Sequence, residues 1–445
     1  MSFPRYPKYK DSGVEWLGEV PEHWEVCKLR HLFEILKRIA GELGYDVFSI
    51  TQNGIRVKDV ESNEGQQAMD YSKYQLVQEG DFAMNPMDLI TGGADIAAYT
   101  GVTSPDYRVC RLRNATDHHD RYLLYLFQNA YRRRLFYPYG QGSSQLGRWR
   151  FPRQQFNTFC FPLPPRGEQL QIAAFLDRET AKIDALIAEQ QRLIELLQEK
   201  RQAVTSHAVT KGLNPNAPMK DSGIEWLGEV PEHWAVHKLG YAARLQGGFA
   251  FPADSFGAEG TAVIRMNNLK RGELDLGDAA RIPESCCIEK VALHAGDLLW
   301  GMSGSIGATG SLGNYARVGE NDLPCQLNQR VGRFVANPAV LDIDYLESLI
   351  QSPTFYDQVV LAVTGTAQFN ISSEQVEACL IALPPRAEQS RIAAFLLEQD
   401  TKGRTLTAQS EYAIILLQER RSALISAAVT GQIDVRNYAS EGAAA

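Results

Sequence analysis

The side chains best suited to chemistry sit in a few short stretches, and most of them fall short of a reactive constellation. Asp117-His118-His119-Asp120 offers four metal-ligand types in a row, but adjacent histidines seldom converge on one ion, and the run reads as a polar turn ahead of a helix. Gly301, Gly304, Gly307 and Gly310 recur in GMSGSIGATG without the lysine of a phosphate loop or a GxGxxG core, which leaves a tight turn between strands. Asn85-Pro86-Met87-Asp88 lacks the second proline and the aromatic residue that would stack on a flipped base. No residue constellation here argues for catalysis.

Binding chemistry is better represented. From Arg121 to Arg153 there is no acidic residue, and Arg121, Arg132, Arg133, Arg134, Arg148, Arg150 and Arg153 interleave with Tyr122, Tyr125, Tyr131, Tyr137, Tyr139 and Trp149. Guanidinium forks suit phosphates and guanine edges, and aromatic rings supply flat contact area. Arg132, Arg133, Gln145, Arg148, Trp149 and Arg150 are therefore candidates for contact with double-stranded DNA. The stretch GQGSSQLGRWRF (140–151) reads as a polar, basic loop. Farther on, GTAQFNIS (365–372) carries Gln368 and Asn370, amides able to bond bidentately to adenine or, equally, to cap their own loop.

The elements that position these residues follow from an internal repeat. KDSGVEWLGEVPEHWEVCKL (10–29) returns as KDSGIEWLGEVPEHWAVHKL (220–239), and LPPRGEQLQIAAFL (163–176) returns as LPPRAEQSRIAAFL (383–396). LLQEKRQAVTSHAVT (196–210) is matched by LLQERRSALISAAVT (416–430). The chain is thus two tandem copies of one unit. The interiors, 30–162 and 240–382, barely resemble each other, as expected for one architecture presenting two recognition surfaces.

Within 166–210, Leu176, Ile183, Gln190, Leu197 and Val204 recur every seven residues, with Ile172, Glu179, Leu186, Leu193 and Lys200 interleaved. Pro164–Pro165 precede this helix, Glu168 suits its first turn, and Gly212 follows its end. At about 1.5 Å per residue the helix would be roughly 65 Å long. The second copy keeps Ile392, Leu396, Leu406, Leu417 and Leu424 but places Gly403 and Ser410 in the seam, which makes it the weaker coiled-coil former. An antiparallel pairing of the two helices, with a globular lobe for each copy, would give a pseudo-two-fold molecule. The interiors read as mixed α/β, with strands at 46–50, 261–266, 296–302 and 329–335 and helices at 120–136 and 344–360.

Composition sets the outer bounds. The 445 residues include 44% hydrophobic and 22% charged, average for a globular chain and too many for one domain. The net charge of −8 hides the local basic stretch. Seven scattered cysteines form no Cys-x-x-Cys pair and read as free thiols in a reducing compartment. Neither a signal-like start nor a run of ~18–20 apolar residues appears, so a cytoplasmic protein with no membrane contact is expected.

The tandem KDSG-x-EWLGEVPEHW and tandem LPPR-x-EQ-x-x-IAAFL, each pair followed by a long helix, resemble the specificity subunit of type I restriction-modification systems. The resemblance covers essentially the whole chain. Residues 85–109 look like the first-domain type of that family, and GDLLWGMSGSIG (296–307) with LPCQLNQRV (323–331) look like another. It implies two α/β (α+β) target recognition domains at 1–162 and 214–382, spacer helices at 163–213 and 383–434, and a tail at 435–445. It further implies two methyltransferase subunits that bind S-adenosylmethionine, and restriction-translocase subunits that use ATP and Mg; no cofactor or metal is expected in this chain itself. The alternative is a stand-alone sequence-specific DNA-binding protein.

Overall fold

The computed structural model describes residues 3–58, 71–143, 148–307, 310–365 and 368–438, without the side chains of Ser143 and Arg148. It divides into two compact units: Met1–Gln191 with Glu411–Ala445, and Arg192–Ser410. Each unit therefore takes part of both long helices, whereas the ranges read from the sequence keep each helix whole.

The repeated block folds alike in both units. In the first, Tyr9–Asp11 pairs antiparallel with Glu19–Pro21; in the second, Met219–Asp221 pairs with Glu229–Pro231. Both hairpins turn where the Asp11 and Asp221 carboxylates accept the amide of a glycine two residues on. Gly13 and Gly223 lie at φ +68° and +74°, a region that penalises any side chain. Strand Glu25–Lys28 pairs with Cys160–Leu163, as Ala235–Lys238 does with Leu380–Leu383.

The dissimilar interiors share a strand order. In the first unit Phe33–Leu36, Arg108–Leu112, Phe82–Met84 and Ala94–Ile96 form an antiparallel sheet. In the second, Ala243–Gly247, Val331–Ala336, Leu298–Gly301 and Tyr315–Arg317 do the same in the same order. A second sheet joins Val47–Thr51 in parallel to Gly101–Thr103 in one unit, and Thr261–Ile264 to Cys325–Leu327 in the other. The four strands read from the sequence fall on strands of these sheets. The helix read at 344–360 is two helices, Ile343–Ile350 and Pro353–Ala362. Pro353 cannot continue a helix, and the Ser352 hydroxyl instead caps the next one through the Phe355 amide. The helix read at 120–136 ends at Arg132, and Arg134 takes φ +56°.

The long helices span Arg166–Lys211 and Arg386–Val429. Gly212 and Gly431, at φ +74° and +73°, follow their ends. The Pro-Pro-Arg-x-Glu-Gln motif ties each helix start to its lobe. Gln169 accepts the His119 amide at 2.8 Å and donates to the Pro164 carbonyl at 2.8 Å; Gln389 accepts the Asp342 amide at 2.7 Å and donates to Pro384 at 2.8 Å. Buried Tyr122 donates to the carbonyls of Pro162 and Val429, and buried Tyr345 to those of Ala382 and Val209. Each lobe thus holds its own helix start and the end of the other copy's helix. In the first unit Arg421 binds Asp184 at 2.8 Å, and in the second Arg201 binds Asp400 at 2.8 Å.

Leu176, Ile183 and Leu396 are buried, and Leu197 and Leu417 half-buried. Leu186, Leu193 and Leu406 are 46%, 40% and 46% exposed, while Ile194 is buried in their stead. A straight helix drifts about 20° per heptad from a 3.5-residue repeat, enough to carry such positions off the buried stripe.

Candidate nucleic-acid interface

The basic stretch of the first unit divides between two places. Its helical half packs inward: Tyr122, Tyr125 and Tyr131 are buried, and Tyr131 donates to the Asn85 carbonyl at 2.6 Å. Its arginines face the long helices. Arg121 binds Asp177 at 2.8 Å, and Arg133 donates to the Ser426 hydroxyl at 2.7 Å. Arg132 is held below the ordinary guanidinium range by burial and by neighbouring Arg421, against the pull of Asp184. Arg132 and Arg133 therefore sit at the helices, apart from the rest of the candidate set. The Asp117–Asp120 run forms the turn before this helix.

The other half forms a hairpin, Gln141–Ser143 against Arg148–Arg150, with Gln141 opposite Arg150 and Gly142 opposite Trp149. Its base is rigid. Trp149 donates its indole N–H to the Tyr137 carbonyl at 2.7 Å and stacks on the Tyr137 ring. Gly140 lies so close to the Trp149 ring that a side chain there would collide with it. Phe151 is buried beside Phe136, with ring centroids 4.5 Å apart, and its amide donates to the Pro86 carbonyl at 2.7 Å. Beneath it Arg108 donates to the Phe151 carbonyl at 2.9 Å and lies over the Phe156 ring, its pKa lowered by burial. Arg150 is exposed on this anchored frame. Gln145 lies outside the described residues, as does the side chain of Arg148.

In the second unit Phe369–Asn370 pairs with Ser303–Gly304. The Ser303 hydroxyl donates to Asn370 Oδ1 at 2.9 Å, Asn370 Nδ2 donates to the Gln368 carbonyl at 3.3 Å, and Gln368 Nε2 reaches Ser303 Oγ at 3.2 Å. Both amides thus hold the loop together. The sequence reading took Gln329 and Arg330 into a strand at 329–335, whereas the strand begins at Val331 and the two residues stand in the neighbouring turn Asn328–Val331.

Among the described residues no group of three or more His, Cys, Asp or Glu side chains is arranged to hold a metal ion, and no helix is long and apolar enough to cross a membrane.

This fold, two α/β units each with segments of long helix, is that of type I restriction-modification specificity subunits. One chain from a type I system complex matches at a TM-score of 0.63 with 15% identity, over 92% of this chain and 98% of that one. The HsdS subunit of Thermoanaerobacter tengcongensis matches at 0.52 with 14% identity, over 93% and 98%. Sequence likeness agrees. The type I restriction enzyme MjaVIII specificity subunit of Methanocaldococcus jannaschii is 27% identical over 287 residues, 63% of this chain and 64% of its own. The EcoAI specificity subunit of Escherichia coli is 30% identical over 202 residues, 45% of this chain and 33% of its own. The matched stretches thus span about a third to just under two thirds of these two relatives. No family model matches the chain. The resemblance to type I specificity subunits therefore stands on sequence and fold together.

Proposed function

We propose that the chain is the DNA-recognition subunit of a type I restriction-modification complex. Each interior serves as a target recognition domain, 1–162 and 214–382, and reads one half of a bipartite site. The helical segments 163–213 and 383–434 act as an antiparallel spacer that sets the distance between halves, and 435–445 is a tail. Two methyltransferase subunits would bring S-adenosylmethionine, and restriction-translocase subunits ATP and Mg, to this non-catalytic chain in the cytoplasm.

The observation that carries the reading is a shared strand order with unlike rims. Both units build a four-stranded antiparallel sheet of the same order, beside a second sheet with a parallel pair, on the same repeated frame, yet one presents a Trp-Arg hairpin and the other the Ser303–Asn370 loop pair. Similar scaffolds with different edge chemistry suit a protein that reads two different half-sites.

The test is a methylation map of DNA from cells expressing the chain with its methyltransferase subunit, against cells expressing that subunit alone. A split, adenine-methylated motif present only with both is the expected result. Tight, specific DNA binding by the isolated chain, with no such motif, would instead favour a stand-alone DNA-binding protein.

A further inference from the structure

Building on that reading, we infer that the turn Asn328–Val331 is a base-reading element of the second unit, with Gln329 and Arg330 entering the major groove of double-stranded DNA. The turn links strand Cys325–Leu327 to Val331–Ala336 and closes through the Val331 amide and the Asn328 carbonyl at 3.0 Å. Its backbone is held from several sides. The Asn328 amide donates to Ile264 at 3.1 Å, and the Gln329 amide to Phe249 at 3.0 Å. The Arg330 carbonyl accepts the Met302 amide at 3.0 Å. Gly248 packs so near the Asn328 carbonyl that a Cβ would overlap it.

On this fixed backbone the two side chains are exposed, and among the described residues neither has a hydrogen-bond, ion-pair or ring partner. The arginines on adjoining strands are engaged: Arg317 binds Asp344 and Glu347, and Arg333 binds Asp297 and Gln246. Gln368 and Asn370 hold Ser303. Phe249, 43% exposed, lies beside the turn and adds an apolar edge. Glutamine pairs bidentately with adenine and arginine with guanine, and a preformed backbone lowers the entropy lost on docking. At the same place in the strand order of the first unit, between Gly101–Thr103 and Arg108–Leu112, stand Pro105 and Asp106. The two units therefore present opposite chemistry at one position of a common fold, which reading two unlike half-sites requires.

The test maps adenine methylation for the full chain co-expressed with its methyltransferase subunit, as wild type, Gln329→Ala, Arg330→Ala and Arg330→Lys. Each alanine variant should relax one base of a single half-site, with preference there falling about tenfold, while the other half and the spacing persist. Arg330→Lys keeps the charge but loses the fork, so it should relax the same base as Arg330→Ala while methylation continues. An unchanged motif in all three variants would overturn the inference, as would equal weakening of both halves or loss of the purified complex, since either makes the turn structural. Absence of a split motif in the wild type would overturn the functional reading, and this inference with it.

Discussion

The indole N–H of Trp24 donates to the carboxylate of Glu168 at 3.1 Å, joining the two repeated sequence blocks of the first unit across 144 residues. Trp234 and Glu388 repeat the bond at 3.2 Å in the second. In each case the preceding histidine, His23 or His233, meets the same carboxylate at 2.8 Å. The first blocks read WEV or WAV after PEH and the second PPR-x-EQ, so the bond explains why both blocks recur while the sequence between them does not. They are the two halves of one clamp, which fastens a lobe to the start of a long helix. What lies between is free to change provided the strand order is kept.

The two clamps should differ in strength. Glu168 also accepts the Tyr6 hydroxyl at 2.5 Å, and its side chain is 7% exposed. The Glu388 side chain is 17% exposed. Glu168→Ala leaves buried donors without an acceptor and should cost about 3 kcal/mol, whereas Glu388→Ala should cost about half as much. Urea unfolding of the two variants checks this; equal losses would mean that the extra tyrosine contributes nothing.

On the first long helix, two neighbouring apolar residues should respond oppositely to a charge. Ile183 is 6% exposed and Leu186 46%. Ile183→Asp buries a carboxylate and should destabilise by more than about 3 kcal/mol, while Leu186→Asp should change stability by less than about 1 kcal/mol. Thermal unfolding of both distinguishes them, and a large loss from Leu186→Asp would place that residue in the seam after all.

Those two leucine and isoleucine positions show where sequence reading stops. The long helices, the proline start and glycine end of the first, and several strands were legible because each depends on neighbours within a few residues, and the repeat because whole blocks return nearly unchanged. Heptad counting marked Leu186 and Leu193 as seam residues, but the drift of a real helix buries Ile194 instead. Counting arginines marked Arg132 and Arg133 beside Arg150, yet Arg133 bonds to Ser426 and Arg132 lies near Arg421, both some 290 residues along the chain. A local tally of charge carries no information about a partner so distant. The common strand order of the two interiors was equally hidden, since short strands leave their pairing to tertiary contacts.

Thiol reactivity should follow burial. Burial pushes Cys110 and Cys325 up to about 12 and Cys379 up to about 11, whereas Cys286 and Cys287 are half-buried. Maleimide at neutral pH should label Cys286 and Cys287 well before those three, which should react only once the chain is unfolded. Peptide mass spectrometry over time gives the order; early labelling of Cys110 would contradict the packing of its sheet.

Acid should weaken the second unit partly through Asp342. Burial alone would raise this carboxyl, but hydrogen bonds from Ser390, Arg386 and the Asp344 amide outweigh it and hold the group below its ordinary 3.8. A lowered folded pKa contributes stability above the unfolded value, and that contribution fades as pH falls through the folded value. Asp342→Asn should therefore be less stable than wild type at pH 7, with the gap narrowing below about pH 4. Urea midpoints across this range test it, and a constant gap would assign the loss to shape rather than charge.

The divided basic stretch gives the sharpest functional contrast. Arg150 stands exposed on the hairpin anchored by Trp149, and Arg133 is bonded to Ser426. In the complex with the methyltransferase subunit, Arg150→Ala should weaken DNA binding by about tenfold at low salt and reduce the salt slope by about one. Arg133→Ala should leave affinity and slope unchanged while lowering stability by about 1 kcal/mol through the lost hydrogen bond. Fluorescence anisotropy over a salt series, paired with thermal unfolding, separates the two. If Arg133→Ala carried the larger loss of affinity, the DNA would have to lie along the helices rather than the hairpin, and the assignment of this rim as the reading surface would be wrong.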